Sequence, residues 1–390
     1  MMRSKVVLCA LVSVASVASW ACKWDRDTLE HEGKEMPDVI QVATGRFERN
    51  PPLYYQMRIE RVLVEVKQHP ERLGLYDDLG VACDSLNDDD KAIAWMEQKR
   101  SQMGDLSKAK TVDGKRDAFS EAAYRYFANA GTFWIHRWAT HGAKKDQIDQ
   151  ATHARDLIAR AIQINPDAHF GREVVQLQVM DWLISVSKGP DQVTLADYLE
   201  KKQSDDYATR IPQNEKTVKG LIGLIVLGGG WDSPDMFDAL ADQLDELYNN
   251  TNKLAYFVSL RQHELLSSGR KSFVTPAFDR SMEGSGFPER NRIQSEFKRL
   301  RLEADAWSRT RTAFMLDRLK SGRHPDTDSH FWDGYVSAPA PHVQYGFFDR
   351  FYDFELLLMA LVGCCCTPVT LLGVFVLVRR IFRARRKSAQ

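Results

Sequence analysis

Residues 73–100, LGLYDDLGVACDSLNDDDKAIAWMEQKR, decide the fold class of this chain. Apolar and small residues recur there at steps of three and four on both sides of a polar turn, DSLNDDD. They are Tyr76, Leu79, Gly80 and Cys83 before the turn, and Ala92 and Met96 after it. Such spacing places them on one face of each of two helices. Because Gly80 and Ala92 have almost no side chain, the pattern predicts that the two helices cross closely.

This pattern resembles the tetratricopeptide repeat, a helix–turn–helix unit of about 34 residues. The repeat has an aromatic residue, Leu-Gly and a large residue in its first helix, then alanine and a large residue in its second. Residues 76–96 match these positions in register, and Pro70 stands where the preceding unit closes. The resemblance implies an all-α solenoid of stacked helix pairs, whose concave surface is suited to binding other proteins.

Helical spacing continues along the chain, and no sustained two-residue alternation marks a strand. ARDLIARAIQINP (154–166) matches the second half of a repeat, and 122–142 is its predicted partner helix. We therefore predict helical repeats over 22–187 and a proline-containing linker over 188–216. A second helical half, 217–322, follows and ends in a long capping helix at about 288–319.

Both ends of the chain indicate a membrane protein. FELLLMALVGCCCTPVTLLGVFVLV (354–378) contains one charge in 25 residues, long enough for a transmembrane helix. Six basic residues follow within 379–390 and predict a cytoplasmic tail. Residues 1–21 have the basic, apolar and small-residue regions of a secretory signal peptide. The body is then exported on a single-pass anchor, and the proline-containing segment 323–353 is a predicted juxtamembrane stalk.

Signal cleavage after Ala21 would make Cys22 the first residue of the mature chain. Lipidation of Cys22 is one alternative, although Ser19 stands where a lipoprotein signal prefers an aliphatic residue. A disulfide with Cys83, the one other cysteine of the exported part, is a second alternative.

The exported region 22–353 carries 45 Lys and Arg against 52 Asp and Glu, a net charge of about −7. This balance argues against binding to nucleic acid and favours basic protein partners. In a tetratricopeptide repeat the first helix of each pair lines the groove. The resemblance therefore implies that Asp77, Asp78 and Asp84, beside the apolar face of the first helix, bind the partner.

Motifs for chemistry are weak. His324, Asp326, Asp328 and His330 lie within seven residues, but their order does not match a calcium loop. Three glycines at 228–230 are not followed by the Gly-Lys-Ser/Thr of a phosphate-binding loop. We therefore predict an interaction scaffold with no cofactor or metal. The alternatives are an enzyme whose active site is assembled from distant residues and a membrane-anchored sensor or assembly factor.

Overall fold

The computed structural model describes residues 23–28, 36–166, 172–189, 193–247, 253–274, 278–282 and 290–340. These residues are helical or irregular, and their only β pairing is a bridge between Val112 and Lys115. The all-α fold class predicted from the sequence is confirmed. The α-helices are α1 Val39–Thr44, α2 Pro52–Gln68, α3 Gly74–Ser85, α4 Asp89–Ser101, α5 Ala118–Thr140, α6 Ile148–Ile164, α7 Arg172–Lys188, α8 Leu195–Glu200, α9 Tyr207–Leu227, α10 Pro234–Leu247, α11 Lys253–Ser267 and α12 Arg290–Lys320. The described residues belong to one compact unit.

Helices α3 and α4 are the pair that residues 73–100 predict. Asp88 caps α4, since its side chain accepts a hydrogen bond from the backbone N–H of Lys91. A Cβ atom at Gly80 would lie 2.8 Å from the ring of Phe133 on α5 and 2.9 Å from the methyl group of Met96 on α4. The predicted close crossing at Gly80 is therefore confirmed, and it joins α3 to two helices rather than one.

Glycine makes the next helix crossings in the same way. On α5, a Cβ atom at Gly131 would lie 2.8 Å from Ile158 and 2.9 Å from the backbone oxygen of Ala154, both on α6. On α9, one at Gly220 would overlap the side chain of Val175 on α7. Neighbouring helices thus pack in succession along the chain, an arrangement compatible with a helical-repeat fold.

The segment predicted as a linker, 188–216, contains helical structure. Thr194 caps α8 and Asp206 caps α9 by accepting backbone hydrogen bonds, so both helices begin inside it. Pro212 lies within α9, near its start. Prolines and scattered charges predicted irregular chain here, but the caps allow helices to form on both sides of a short connection.

The long helix predicted at about 288–319 is α12, which packs against α1, α2 and α11. Beyond it, residues 323–340 are the described part of the predicted stalk, and their first half returns along the helical body. Phe331 is fully buried in a cluster with Tyr54 of α2 and with Met315 and Leu319 of α12. This burial explains why the chain does not extend away from the body immediately after α12.

Among the described residues, no helix is both long enough and apolar enough to cross a membrane. The predicted signal peptide 1–21, Cys22, the transmembrane segment 354–378 and the tail 379–390 lie outside the described residues.

Candidate functional site

The three aspartates that the sequence singles out on α3 are buried. Asp77, Asp78 and Asp84 keep only 2%, 4% and 4% of their surface exposed. Burial of a carboxylate is costly unless cations or hydrogen-bond donors compensate it. The chain itself supplies these partners, and two of them, Lys23 and Arg26, come from residues 23–28, which lie against α3.

Residues 23–28, Lys-Trp-Asp-Arg-Asp-Thr, are irregular at first and end in a helical turn. The Lys23 ammonium lies 2.6 Å from the carboxylate of Asp84. Arg26 donates from Nε to Asp78 at 2.9 Å, and its backbone N–H donates to the same carboxylate at 3.1 Å. Two aspartates of α3 therefore bind two successive cations of the segment.

Asn129 of α5 binds the main chain of the segment. Its Oδ1 accepts the backbone N–H of Trp24 at 2.7 Å, and its Nδ2 donates to the backbone carbonyl of Trp24 at 2.9 Å. Both polar groups of one peptide residue are thereby satisfied away from water. The Asn129 Nδ2 also donates to Asp77 at 3.0 Å, which orients the amide.

The side chain of Trp24 fills an aromatic site on α5. Its ring meets Tyr124 edge to face at 5.2 Å, and the guanidinium of Arg125 lies 5.6 Å from its centroid. Trp24 is 4% exposed. A largely buried indole contributes most of the apolar contact of such a short segment. We define the groove as the surface of α3 and α5 that holds residues 23–28, with Asp78, Asp84, Tyr124, Arg125 and Asn129 as its main contacts.

Asp77 supports the groove from beneath. Lys99 of α4 is fully buried and donates to both carboxylate oxygens of Asp77 at 2.7 Å. Burial lowers the pKa of Lys99 and raises the pKa of Asp77, while their mutual attraction opposes both shifts. Lys99 follows Ala92 by seven residues, so it lies in the apolar stripe of α4, an unusual position that could have indicated a buried partner.

Asp84 has a second partner, His136 of α5, whose Nδ1 lies 2.6 Å from its carboxylate. Burial alone would raise the pKa of Asp84, but the charges of His136 and Lys23 hold it well below its usual value. Asp89 completes a set of three potential metal ligands whose atoms lie within 4.8 Å of one another. The ammonium of Lys23 already neutralises Asp84 there, so the donor set does not favour a divalent cation.

A second charged cluster anchors the same segment at its other end. Arg58 of α2 is fully buried and contacts Asp25 at 3.0 Å, Asp27 at 2.7 Å and Asp326 at 2.6 Å. Burial and the neighbouring charge of Asp27 raise the pKa of Asp25 to about 7, against the opposing effect of Arg58. Arg58 thus ties the segment and the chain after α12 to α2.

The potential ligands at 324–330 do not converge on one point. His324 stacks on Tyr54 with ring centroids 4.5 Å apart, and Asp326 binds Arg58. The other two pair with residues three to five positions away in the sequence, Asp328 with Arg323 and His330 with Asp333. Each side chain has its own partner, so this loop is an ion-paired connection.

Cys83 is buried and forms no disulfide with another described residue, and burial raises the pKa of its thiol to about 12. A thiol of this kind is largely protonated and therefore unreactive at neutral pH. The two predictions for Cys22, lipidation and pairing with Cys83, stay predictions, because Cys22 lies outside the described residues.

Comparisons with protein-family models, curated proteins and solved structures find no match for this chain. The fold and the groove therefore define the class by themselves: an all-α protein of successively packed helices that holds a short charged peptide segment between two of them.

Proposed function

We propose that this chain is a tetratricopeptide-like helical-repeat scaffold that holds partner proteins on the exported side of the cytoplasmic membrane. One observation carries the proposal: the groove binds residues 23–28 through the main chain and through side chains of alternating charge. The membrane anchor rests on the sequence of 354–378 and on the basic tail that follows.

The contacts of the groove support a ligand of defined chemistry. Asp84 and Asp78 bind cationic side chains, the aromatic site on α5 binds tryptophan, and Asn129 binds a main chain of any sequence. A partner segment with a cation, a tryptophan and a second cation two residues later reproduces these contacts. Basic side chains at these positions agree with the acidic balance of the exported region.

In the proposed function, residues 23–28 compete with the partner. A segment tethered by a short linker has an effective concentration on the order of millimolar at its own site. An external peptide then binds only in proportion to the fraction of molecules whose groove is vacant. The segment therefore sets a threshold that only a tight or abundant partner passes.

The test uses the full chain in neutral detergent and a fluorescent peptide with the sequence of residues 23–28. Releasing the segment with Lys23→Ala and Trp24→Ala should tighten binding of this peptide by about tenfold or more, because the competitor is lost. Asp78→Asn in the released chain should weaken binding again by about tenfold, since it removes a charge-assisted contact with the arginine of the peptide.

Asp149→Asn, on the exposed surface of α6, is the matched control and should leave binding unchanged. Asp77 is unsuitable for this test because it holds the buried Lys99. The proposal is wrong if the released chain melts cooperatively but does not bind the peptide, or if it binds a scrambled peptide equally well.

A further inference from the structure

A cavity of about 560 Å³ lies beside the groove, between residues 23–28, residues 36–50, the end of α9 and α12. Its volume falls within the range of small-molecule sites. Phe47, Trp231 and Trp307 contribute aromatic surface to its wall, and Ile225 and Leu227 contribute aliphatic surface. The cavity therefore offers apolar contact on several sides.

Most charges on the wall of the cavity are already paired. Asp25 and Asp27 bind Arg58, Glu48 lies 3.1 Å from Arg311, and Lys23 lies 2.6 Å from Asp84. Two arginines on the wall, Arg46 and Arg49, form no ion pair among the described residues. Arg46 donates to the backbone carbonyls of Ala338 and Pro339.

Arg49 is the less satisfied of these two arginines. Its Nη2 donates to the carbonyl of Gly45 at 3.1 Å, whereas its Nη1 is buried without a hydrogen-bond partner. A charged N–H donor that is buried without an acceptor costs free energy, so Arg49 is poorly compensated by the protein itself. Arg49 lines the cavity, and an anionic ligand there would place its oxygen atoms beside the guanidinium.

The charges around Arg49 also favour the binding of an anion near its guanidinium. Three guanidinium groups contact the indole of Trp231. Those of Arg49, Arg261 and Arg301 lie 5.0, 3.7 and 5.2 Å from the ring centroid. Burial, with the repulsion of Arg301 and Arg261, lowers the pKa of Arg49 to about 10. The charges of Asp232 and Asp305 oppose this shift, but neither carboxylate forms an ion pair with Arg49. Asp232 pairs with Arg270 at 3.0 Å, and Asp305 pairs with Arg301 at 2.6 Å.

We propose that this cavity binds an amphipathic anion, with a carboxylate or phosphate group at Arg49 and an apolar part against Trp231 and Trp307. The planar guanidinium is suited to both groups, since two of its N–H donors can bind two oxygens of the same anion. The anion comes either from a free small molecule or from the headgroup of an acidic lipid. Residues 23–28 form one wall of this cavity, whereas Arg49, Trp231 and Trp307 lie outside the groove.

The experiment uses the full chain in neutral detergent and measures binding calorimetrically. One arm titrates 2-naphthoate, with the uncharged 2-naphthalenemethanol as its match. The other arm adds nanodiscs of phosphatidylglycerol, with phosphatidylcholine as their match. We expect saturable binding of at least one anionic probe and none of its uncharged or zwitterionic match. Binding of naphthoate alone assigns a free anion, and binding of phosphatidylglycerol alone assigns a lipid.

Arg49→Gln should weaken this binding by about tenfold or more, the loss of one charge-assisted contact. Arg299→Gln, at an exposed position of α12, should not change it. Arg49→Lys keeps the charge but not the planar arrangement of donors, and should weaken anion binding less than Arg49→Gln does. Such a graded loss of affinity indicates direct recognition of the anion by Arg49, not an effect on folding. The proposal is overturned if neither anion binds, or if a cooperatively melting Arg49→Gln protein binds as the wild type does.

Discussion

Helices α3 and α6 have similar apolar spacing but very different surroundings. On α6 the buried residues are Ala151, Ala154, Ile158, Ala161 and Ile164, a single stripe at steps of three and four. On α3, ten consecutive residues from Leu75 to Asp84 are buried, including three aspartates. One helix therefore contacts the protein along one face, and the other is enclosed on every side.

The difference comes from a second cover over α3. Helices α4 and α5 pack against its apolar face around Gly80, as the spacing predicts. Residues 23–28 cover its acidic face and neutralise it with Lys23 and Arg26. The polar face of α6 has partly exposed contacts, such as the pair of Arg155 and Asp181, each about one-third exposed. Charged residues therefore lie at the surface of α6, whereas on α3 they are buried with ion-pair partners.

The largest effect that tests this comparison is expected at Lys99. Lys99→Met keeps the length of the side chain but leaves the buried Asp77 without its cation, at a cost of about 3–5 kcal/mol in the free energy of unfolding. Denaturant unfolding of the full chain in neutral detergent measures it.

Arg155→Met on α6 is the counterpart and should cost less than about 1 kcal/mol, because its ion pair is partly exposed to solvent. Lys91→Met, at an exposed ion pair on α4, should have no measurable effect. Equal stabilities of the Lys99 and Arg155 variants would contradict the view that the acidic side of α3 is an interior.

A smaller effect compares the two glycine crossings. Gly80→Ala meets the flexible end of Met96 and the ring of Phe133, whereas Gly131→Ala meets the backbone oxygen of Ala154 on α6 at 2.9 Å. Because a backbone atom cannot move aside as a side chain does, Gly131→Ala should cost about 1–3 kcal/mol.

Gly80→Ala should cost less than Gly131→Ala, since the gain in helix propensity from alanine offsets part of the strain. Gly74→Ala, where a Cβ atom would meet nothing within 4 Å, is the control. Thermal melts rank the three variants, and a Gly80 variant less stable than the Gly131 variant would reverse the argument.

The smallest effect is a difference in pH dependence between two buried aspartates. The pKa of Asp84 lies below its unfolded value, so its contribution to stability is present above about pH 4 and is lost at lower pH. Asp235 of α10 accepts hydrogen bonds from Ser272 and Phe273, and burial raises its pKa to about 6. Its contribution is present below about pH 4 and is lost as the pH rises to about 6.

Unfolding free energies of the wild type, Asp84→Asn and Asp235→Asn between pH 3 and 7 test these opposite signs. Asp84→Asn should reduce the fall in stability toward acid. Asp235→Asn should remove a fall in stability between about pH 4 and 6. If the stability contributions of Asp84 and Asp235 changed with pH in the same direction, the assignment of cationic partners to Asp84 and not to Asp235 would be contradicted.

Much of the fold could be predicted from the sequence because apolar spacing is a local property of a helix. The pair α3–α4, the crossing at Gly80 and the long helix α12 follow from residues close together in the chain. The prediction of a linker missed α8 and the start of α9. It relied on the prolines and charges of this segment and overlooked Thr194 and Asp206, which cap the two helices. The chain after α12 stays on the body because Phe331 has a buried site there.

The candidate groove was predictable only in part. The sequence drew attention to Asp77, Asp78 and Asp84 through their place beside an apolar face. Their partners could not be inferred, since a solvated aspartate and a buried one are identical in sequence. Trp24 and Asn129, which bind each other, are 105 residues apart.

The sequence by itself determined that this chain forms helices, how several of them pair, and that two of them cross closely at Gly80. These properties depend on side-chain size and on spacing within one or two turns. Only the tertiary structure decided which charges are interior, because the free energy of a buried charge depends on partners brought from distant parts of the chain. The segment 23–28 owes its place on α3 and α5 to those partners.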